Sequence, residues 1–265
     1  MCRLTAWVGE PRPLDVLVFG GTHPLLEQAW APRELLEGSV NADGWGVTWW
    51  SEGRMARLAS SRPVWQEPDL EGVLAATRAG VGVAALRNAT PGLPVDEASV
   101  PPLALDGRAF VLNGSVPDFR ERHARALRSE LPDPLYGRLS GVSDAETLFL
   151  MVMDEVGRGS GRGEALDAVA ERVLDRIGDG GECQLAMLLA DAEGLSVRLA
   201  SNVERTNSLY VLEGSGLAGG GTLVASEALD GDPAWRRVGD HGRVDVGGDG
   251  VRITTPRRPG RGPAR

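Results

Sequence analysis

Lysine is absent from this chain of 265 residues, so all 28 of its basic side chains are arginines. That removes Schiff-base chemistry and any lysine general base. Histidine occurs three times, at His23, His123 and His241, and cysteine twice, at Cys2 and Cys183. No two histidines have metal-ligand spacing and Cys183 has no neighbouring partner, so no metal site is expected. Two cysteines give no disulfide framework, in keeping with a reducing compartment. His123 falls in an Arg-rich helical stretch and His241 in an Asp/Gly loop, both read as surface settings.

No apolar run reaches the roughly 18–20 residues that span a bilayer. The N-terminus also lacks the basic-then-apolar pattern of a secretory signal, so a cytoplasmic protein without a membrane partner is expected. A formal net charge of -9 argues against nucleic acid as a partner. The glycine runs 157–163 and 214–221 resemble phosphate loops only in composition. Neither joins a strand to a helix and neither carries Gly-Lys-Ser/Thr, so no nucleotide and no other cofactor is implied.

What the chain does have begins at its second residue. Cys2 follows the initiator methionine, and cysteine is small enough for Met1 to be removed. The mature chain would then begin with a thiol and an α-amine on one residue. An α-amine has an unperturbed pKa of about 7.7–8.0, so it can act as base for the thiol without a histidine.

Residues 4–8 read as a short strand that ties this end into a sheet. Further strands are expected at 44–50, 81–89 and 108–112, the last stopped by the turn-forming dipeptide Asn113-Gly114. Helices are expected at 70–79 and 118–131, the second charged and exposed. Ser143-Asp144-Ala145-Glu146 reads as a capping box opening a buried helix over 147–156, with an amphipathic helix at 164–177 beyond it. Short strands separated by Gly/Asp turns follow at 184–190, 195–201, 208–212 and 222–226, with a pair around Val244 and Val251. Strands, then helices, then strands, without βαβ alternation, indicate α+β with antiparallel sheets. One domain over 2–255 and a disordered Arg/Pro-rich tail at 256–265 are expected.

A thiol attacking an amide needs donors for the oxyanion. The Asn113 side chain and the Gly114 backbone N–H are candidates, with an ordinary turn as the alternative. Arg87 ends an otherwise apolar strand, where a carboxylate ligand or an internal salt bridge would satisfy it. Asp144, just inside a helix start, either complements the helix dipole or receives a ligand ammonium. An arginine for a carboxylate and an aspartate for an ammonium suit an α-amino acid.

Cys2, the segment Asn41-Ala42-Asp43-Gly44-Trp45-Gly46, the segment from Arg87 to Gly92, Asn113-Gly114 and Ser143-Asp144 together resemble the class II glutamine amidotransferases, in the same order along the chain. The resemblance implies an N-terminal-nucleophile hydrolase with a four-layer αββα sandwich of antiparallel sheets. It implies Cys2 as nucleophile, its α-amine as base, and Asn113 and Gly114 as oxyanion hole. Arg87 and Thr90 would then hold the α-carboxylate of a γ-glutamyl group and Asp144 its α-amine. Leu112 stands where the family usually has histidine, from which altered packing rather than lost activity is expected.

The chain ends with its sandwich, so no obligatory synthase domain is expected, and a small-molecule γ-glutamyl amide is the expected substrate. The segments Ala31-Pro32-Arg33, Ala89 to Pro94 and Ala225 to Trp235 are similar to those of stand-alone hydrolases in this family. Those enzymes act on γ-glutamyl amides whose other half carries a trimethylated histidine betaine and a sulfoxide. Aromatic faces suit a trimethylammonium, so one of Trp45, Trp49, Trp50 and Trp235 is expected to line the leaving-group pocket. A glutaminase subunit supplying a separate synthase, and a non-catalytic γ-glutamyl-binding protein of the same fold, are the alternatives.

Overall fold

Residues alternate between two faces along a strand, and here that alternation builds two antiparallel sheets. The computed structural model describes residues 2–36, 38, 40–89, 97–214 and 216–256. In chain order the strands are β1 (Arg3–Pro13), β2 (Trp45–Ser51), β3 (Arg54–Ser60), β4 (Arg78–Leu86), β5 (Leu103–Leu105) and β6 (Arg108–Ser115). After the central helices come β7 (Gln184–Asp191), β8 (Gly194–Ser201), β9 (Tyr210–Glu213), β10 (Thr222–Ala225), β11 (Arg236–Arg237), β12 (Arg243–Gly247) and β13 (Gly250–Thr254). One sheet has the order β11-β9-β10-β1-β4-β2-β3 and the other β13-β12-β8-β7-β6-β5.

The inner faces pack on each other through Leu4, Ala6 and Val83 of one sheet and Val111, Leu188 and Val197 of the other. Helices α1 (Val16–Phe19), α2 (Leu25–Gln28) and α3 (Leu70–Ala76) cover the outside of the first sheet over Trp7, Val47 and Leu86. The short helices α4 (Ala124–Arg128) and α5 (Asp133–Tyr136) lead into two longer ones, α6 (Asp144–Gly157) and α7 (Arg162–Ile177). These two cover the second sheet over Phe110, Leu112 and Met187. The result is an α+β sandwich of four layers, αββα, with three apolar cores between them. Among the described residues no helix is long and apolar enough to cross a membrane.

Several expectations change. Asn113-Gly114 is not a turn: β6 runs through it to Ser115, paired with β7. The segment 118–131 is not one exposed helix. It opens with a π-helical turn at Phe119–His123 before α4, and Phe119, Leu127 and Leu131 are buried. His241 is buried rather than superficial, its Nε2 3.1 Å from the carbonyl of Glu204. The capping box is half formed. Ser143 Oγ accepts from the Glu146 N–H, but the Glu146 carboxylate accepts from the N–H groups of Ser140 and Gly141 instead of reaching back. Of the tail, only Pro256 is among the described residues.

Candidate active site

Sheet register brings the candidate residues to one end of the sandwich. Arg3 pairs with Leu86, so Cys2 at the start of β1 sits beside Arg87 at the end of β4. Alternation along β1 puts Cys2 on the same side as Leu4 and Ala6, facing the second sheet. There β6 and the start of α6 approach it. Cys2, Arg87, Gly114 and Asp144 line one cavity, together with Asn88, Ser99, Leu103 and Leu112. Asn113 is not among the residues lining that space. Thr90, expected to assist Arg87, lies outside the described residues.

Cys2 is partly buried, and that burial pushes its thiol above the ordinary cysteine range. A backbone hydrogen bond from Asn88 and the charge of Arg87 pull it back down, while Asp144 adds to the rise. A base next to the thiol is therefore needed for reaction at neutral pH. Cys183, buried beneath β6, is pushed up to about 12 by burial and by Asp144.

Arg87 is buried, and the loop before β2 holds its backbone. The Arg87 N–H donates to Gly44 O at 2.8 Å, and Asp43 N–H donates to Arg87 O at 3.1 Å. Asp43 Oδ2 then accepts from the Ala89 N–H at 2.8 Å. The Asn41-to-Gly46 segment thus sets the path of the 87–89 segment. Gly44 has φ +127°, and a Cβ there would come within 2.8 Å of Ser60 O, so glycine is required.

Asp144 is buried at the first turn of α6. Its Oδ2 accepts from Val116 N–H and its Oδ1 from Ala145 N–H, each at 2.9 Å. Burial raises its pKa above the usual carboxylate value, and those hydrogen bonds oppose the rise. With the N–H groups of Val116, Ala145 and Asp144 itself as donors, the carboxylate keeps lone-pair capacity for an ammonium group. Leu112 lines the cavity and joins the core under α6.

Asn113 is 1% exposed, and neither its Oδ1 nor its Nδ2 has a hydrogen-bond partner among the described residues. Such a group costs about 1–3 kcal/mol unless something else meets it. Its backbone carbonyl is fixed by Asn207 Nδ2 at 2.8 Å. Gly114 has φ +149°, and a Cβ there would lie 1.8 Å from Gln184 O. Glycine lets the two strands approach at the site.

No tryptophan lines the cavity. Trp45 is buried under the α1–α3 layer, and Trp50 lies between the sheets with its Nε1 donating to Gly107 O. Trp49 and Trp235 pack against the same outer core, and Trp235 Nε1 donates to Asp230 Oδ1. Sequence reasoning also missed the supports of the site: Asn207, and the pair Ser226-Glu227 that meets the start of β1. Ser226 and Glu227 were hinted at only by their place in the segment 225–235, and no signal pointed to Asn207.

No protein-family model matches the chain. A Mycolicibacterium smegmatis protein named gamma-glutamyl-hercynylcysteine sulfoxide hydrolase is 31% identical over 248 residues, 93% of this chain and 96% of that protein. A protein of the same name from Mycobacterium tuberculosis is 28% identical over 254 residues, 96% of each. A glutamine aminotransferase class-II domain protein from Silicibacter pomeroyi shares the fold, with TM-score 0.69 and 20% identity over 96% of this chain and 99% of that one. A B. subtilis glutamine phosphoribosylpyrophosphate amidotransferase matches with TM-score 0.61 and 16% identity, over 96% of this chain and 49% of its own.

Proposed function

Since the chain belongs to the gamma-glutamyl-hercynylcysteine sulfoxide hydrolase family of class II glutamine amidotransferase-type amide hydrolases, we propose that it cleaves the γ-glutamyl amide of that sulfoxide. The products are glutamate and hercynylcysteine sulfoxide, a step of ergothioneine biosynthesis. The observation that carries this reading is that Cys2, Arg87, Gly114 and Asp144 line one cavity. An arginine for a carboxylate, an aspartate for an ammonium and a nucleophile in the same space suit a γ-glutamyl group.

Removal of Met1 frees the Cys2 α-amine, which takes the thiol proton. The thiolate attacks the γ-carbonyl carbon, and the Gly114 N–H and Asn113 Nδ2 receive the oxyanion. As the tetrahedral intermediate collapses, the C–N bond breaks and the ammonium returns its proton to the leaving nitrogen. Water, deprotonated by the same amine, then attacks the γ-glutamyl thioester; glutamate leaves and the thiol is restored. Thr90 is assigned to the α-carboxylate beside Arg87. Residues 2–255 act as one domain that needs no attached synthase, with a small γ-glutamyl amide as partner in place of nucleic acid or membrane.

The test compares kcat/KM for γ-glutamyl-hercynylcysteine sulfoxide and for glutamine, in the wild type and in Cys2→Ala. Preference for the sulfoxide, lost with Cys2, is the expected result. Preference for glutamine would mark an ammonia-supplying subunit, and absence of Cys2-dependent turnover a binding protein.

A further inference from the structure

Behind the nucleophile, on the other face of its sheet, lies a buried cluster that the mechanism above does not use. Ser226, which follows β10, grips the backbone two residues after Cys2. Its N–H donates to Leu4 O at 2.9 Å, and its Oγ accepts from Leu4 N–H at 3.0 Å. The next residue, Glu227, is 2% exposed yet keeps its carboxylate ionised. It accepts from the backbone N–H of Arg33 and Glu34, both at 2.9 Å at closest, and faces His23 Nε2 at 2.9 Å. Arg3 Nε lies 3.6 Å from it.

Arg3 is the residue after the nucleophile. Its side chain is 1% exposed, and its Nε and Nη1 make no hydrogen bond among the described residues. Strand alternation sends it to the face opposite Cys2, but it stays within electrostatic reach of the thiol. A buried cation one residue from the reacting amine acts through a medium of low dielectric, where charge is poorly screened. It disfavours the ammonium form of that amine, and Glu227 offsets part of this effect.

We infer that Glu227, acting through Arg3, is a positioning residue that sets the protonation of the Cys2 α-amine. The inference rests on that amine being the base proposed above. Other charged groups lie around the thiol or around the Arg3–Glu227 pair. Arg87 comes from the end of β4 and Asp144 from the start of α6, the latter also beside Cys183. His23 and Glu27 come from the α2 region and Glu34 from the loop after it. All of these are unchanged in the variants below.

The measurement is the acid limb of kcat against pH at saturating substrate, where the bound ammonium holds Asp144 ionised. Glu227→Gln leaves Arg3 uncompensated and should move the limb down by about half to one pH unit. Arg3→Met leaves Glu227 uncompensated and should move it up by a similar amount. The double variant Arg3→Met/Glu227→Leu removes both charges and should return the limb close to that of the wild type. Opposite shifts of the single variants support the inference. Lower kcat with the limb in place means a merely structural role and overturns it. Should a single variant fail to fold, Arg3→Gln against Arg3→Lys decides: the amide must move the limb up and the lysine must not. Turnover that depends on Cys2 with an immobile limb removes only this inference, whereas no such turnover removes the proposed function as well.

Discussion

Replacing Asn113 with leucine, a side chain of similar size and shape, should move activity and stability in different directions. The native amide is 1% exposed and has no hydrogen-bond partner on either polar atom among the described residues. An unmet buried polar group costs about 1–3 kcal/mol, and leucine removes that cost without opening a cavity. For a domain of this size each kcal/mol moves Tm by roughly 2–4 °C, so the variant should melt at or above the wild-type temperature. On the proposed mechanism catalysis should suffer, because one of its two oxyanion donors is removed. Loss of one such donor typically costs about 10²–10³ in kcat, with little effect on substrate binding before the transition state. Thermal denaturation and steady-state kinetics on one preparation read both quantities. Activity kept within about threefold would refute the oxyanion role. A Tm lowered by several degrees would show that the amide holds structure instead.

Gly114→Ala should fail to yield folded protein, because its Cβ would meet Gln184 O at 1.8 Å; soluble, active variant would contradict the strand geometry. Asp144→Asn should raise KM at least tenfold with a smaller change in kcat, and deaminated substrate should be the poorer ligand for the wild type. Because burial raises the Asp144 pKa, its carboxylate is protonated as pH falls at a higher pH than an ordinary aspartate would be. KM should therefore climb on the acid side, and the climb should vanish in Asp144→Asn. A thiol alkylating agent at mildly alkaline pH should label Cys2 and spare Cys183, whose pKa stands at about 12; peptide mapping reads the outcome.

The sheets were legible because their strands carry apolar residues in short runs or alternation, as at Val81–Val83–Ala85 and Leu195–Val197–Leu199. Strand β3, Arg54–Ser60, was missed because it lies at a sheet edge and fully buries none of its side chains. Helices α1 and α2 span four residues each, too short for a 3.6-residue period to register. Asn113-Gly114 was misread for a physical reason. The positive φ that makes glycine a turn former here serves the close approach of Gln184 within a continuous strand. Cys2, Arg87 and Asp144, which line one cavity, stood out as reactive or costly to bury, and the family resemblance joined them into one site. The Arg3–His23–Glu227 cluster joins residues some 200 positions apart, and no local pattern announces such a contact.

The claim at the centre is that Cys2, freed of Met1, is the nucleophile. Intact mass of the purified protein before and after a diazoketone analogue of glutamine tests it directly. Loss of Met1 together with one covalent adduct, mapped to Cys2, is the expected result. Retained Met1, or an adduct at any other residue, would contradict the mechanism, because an acylated backbone nitrogen is not a base.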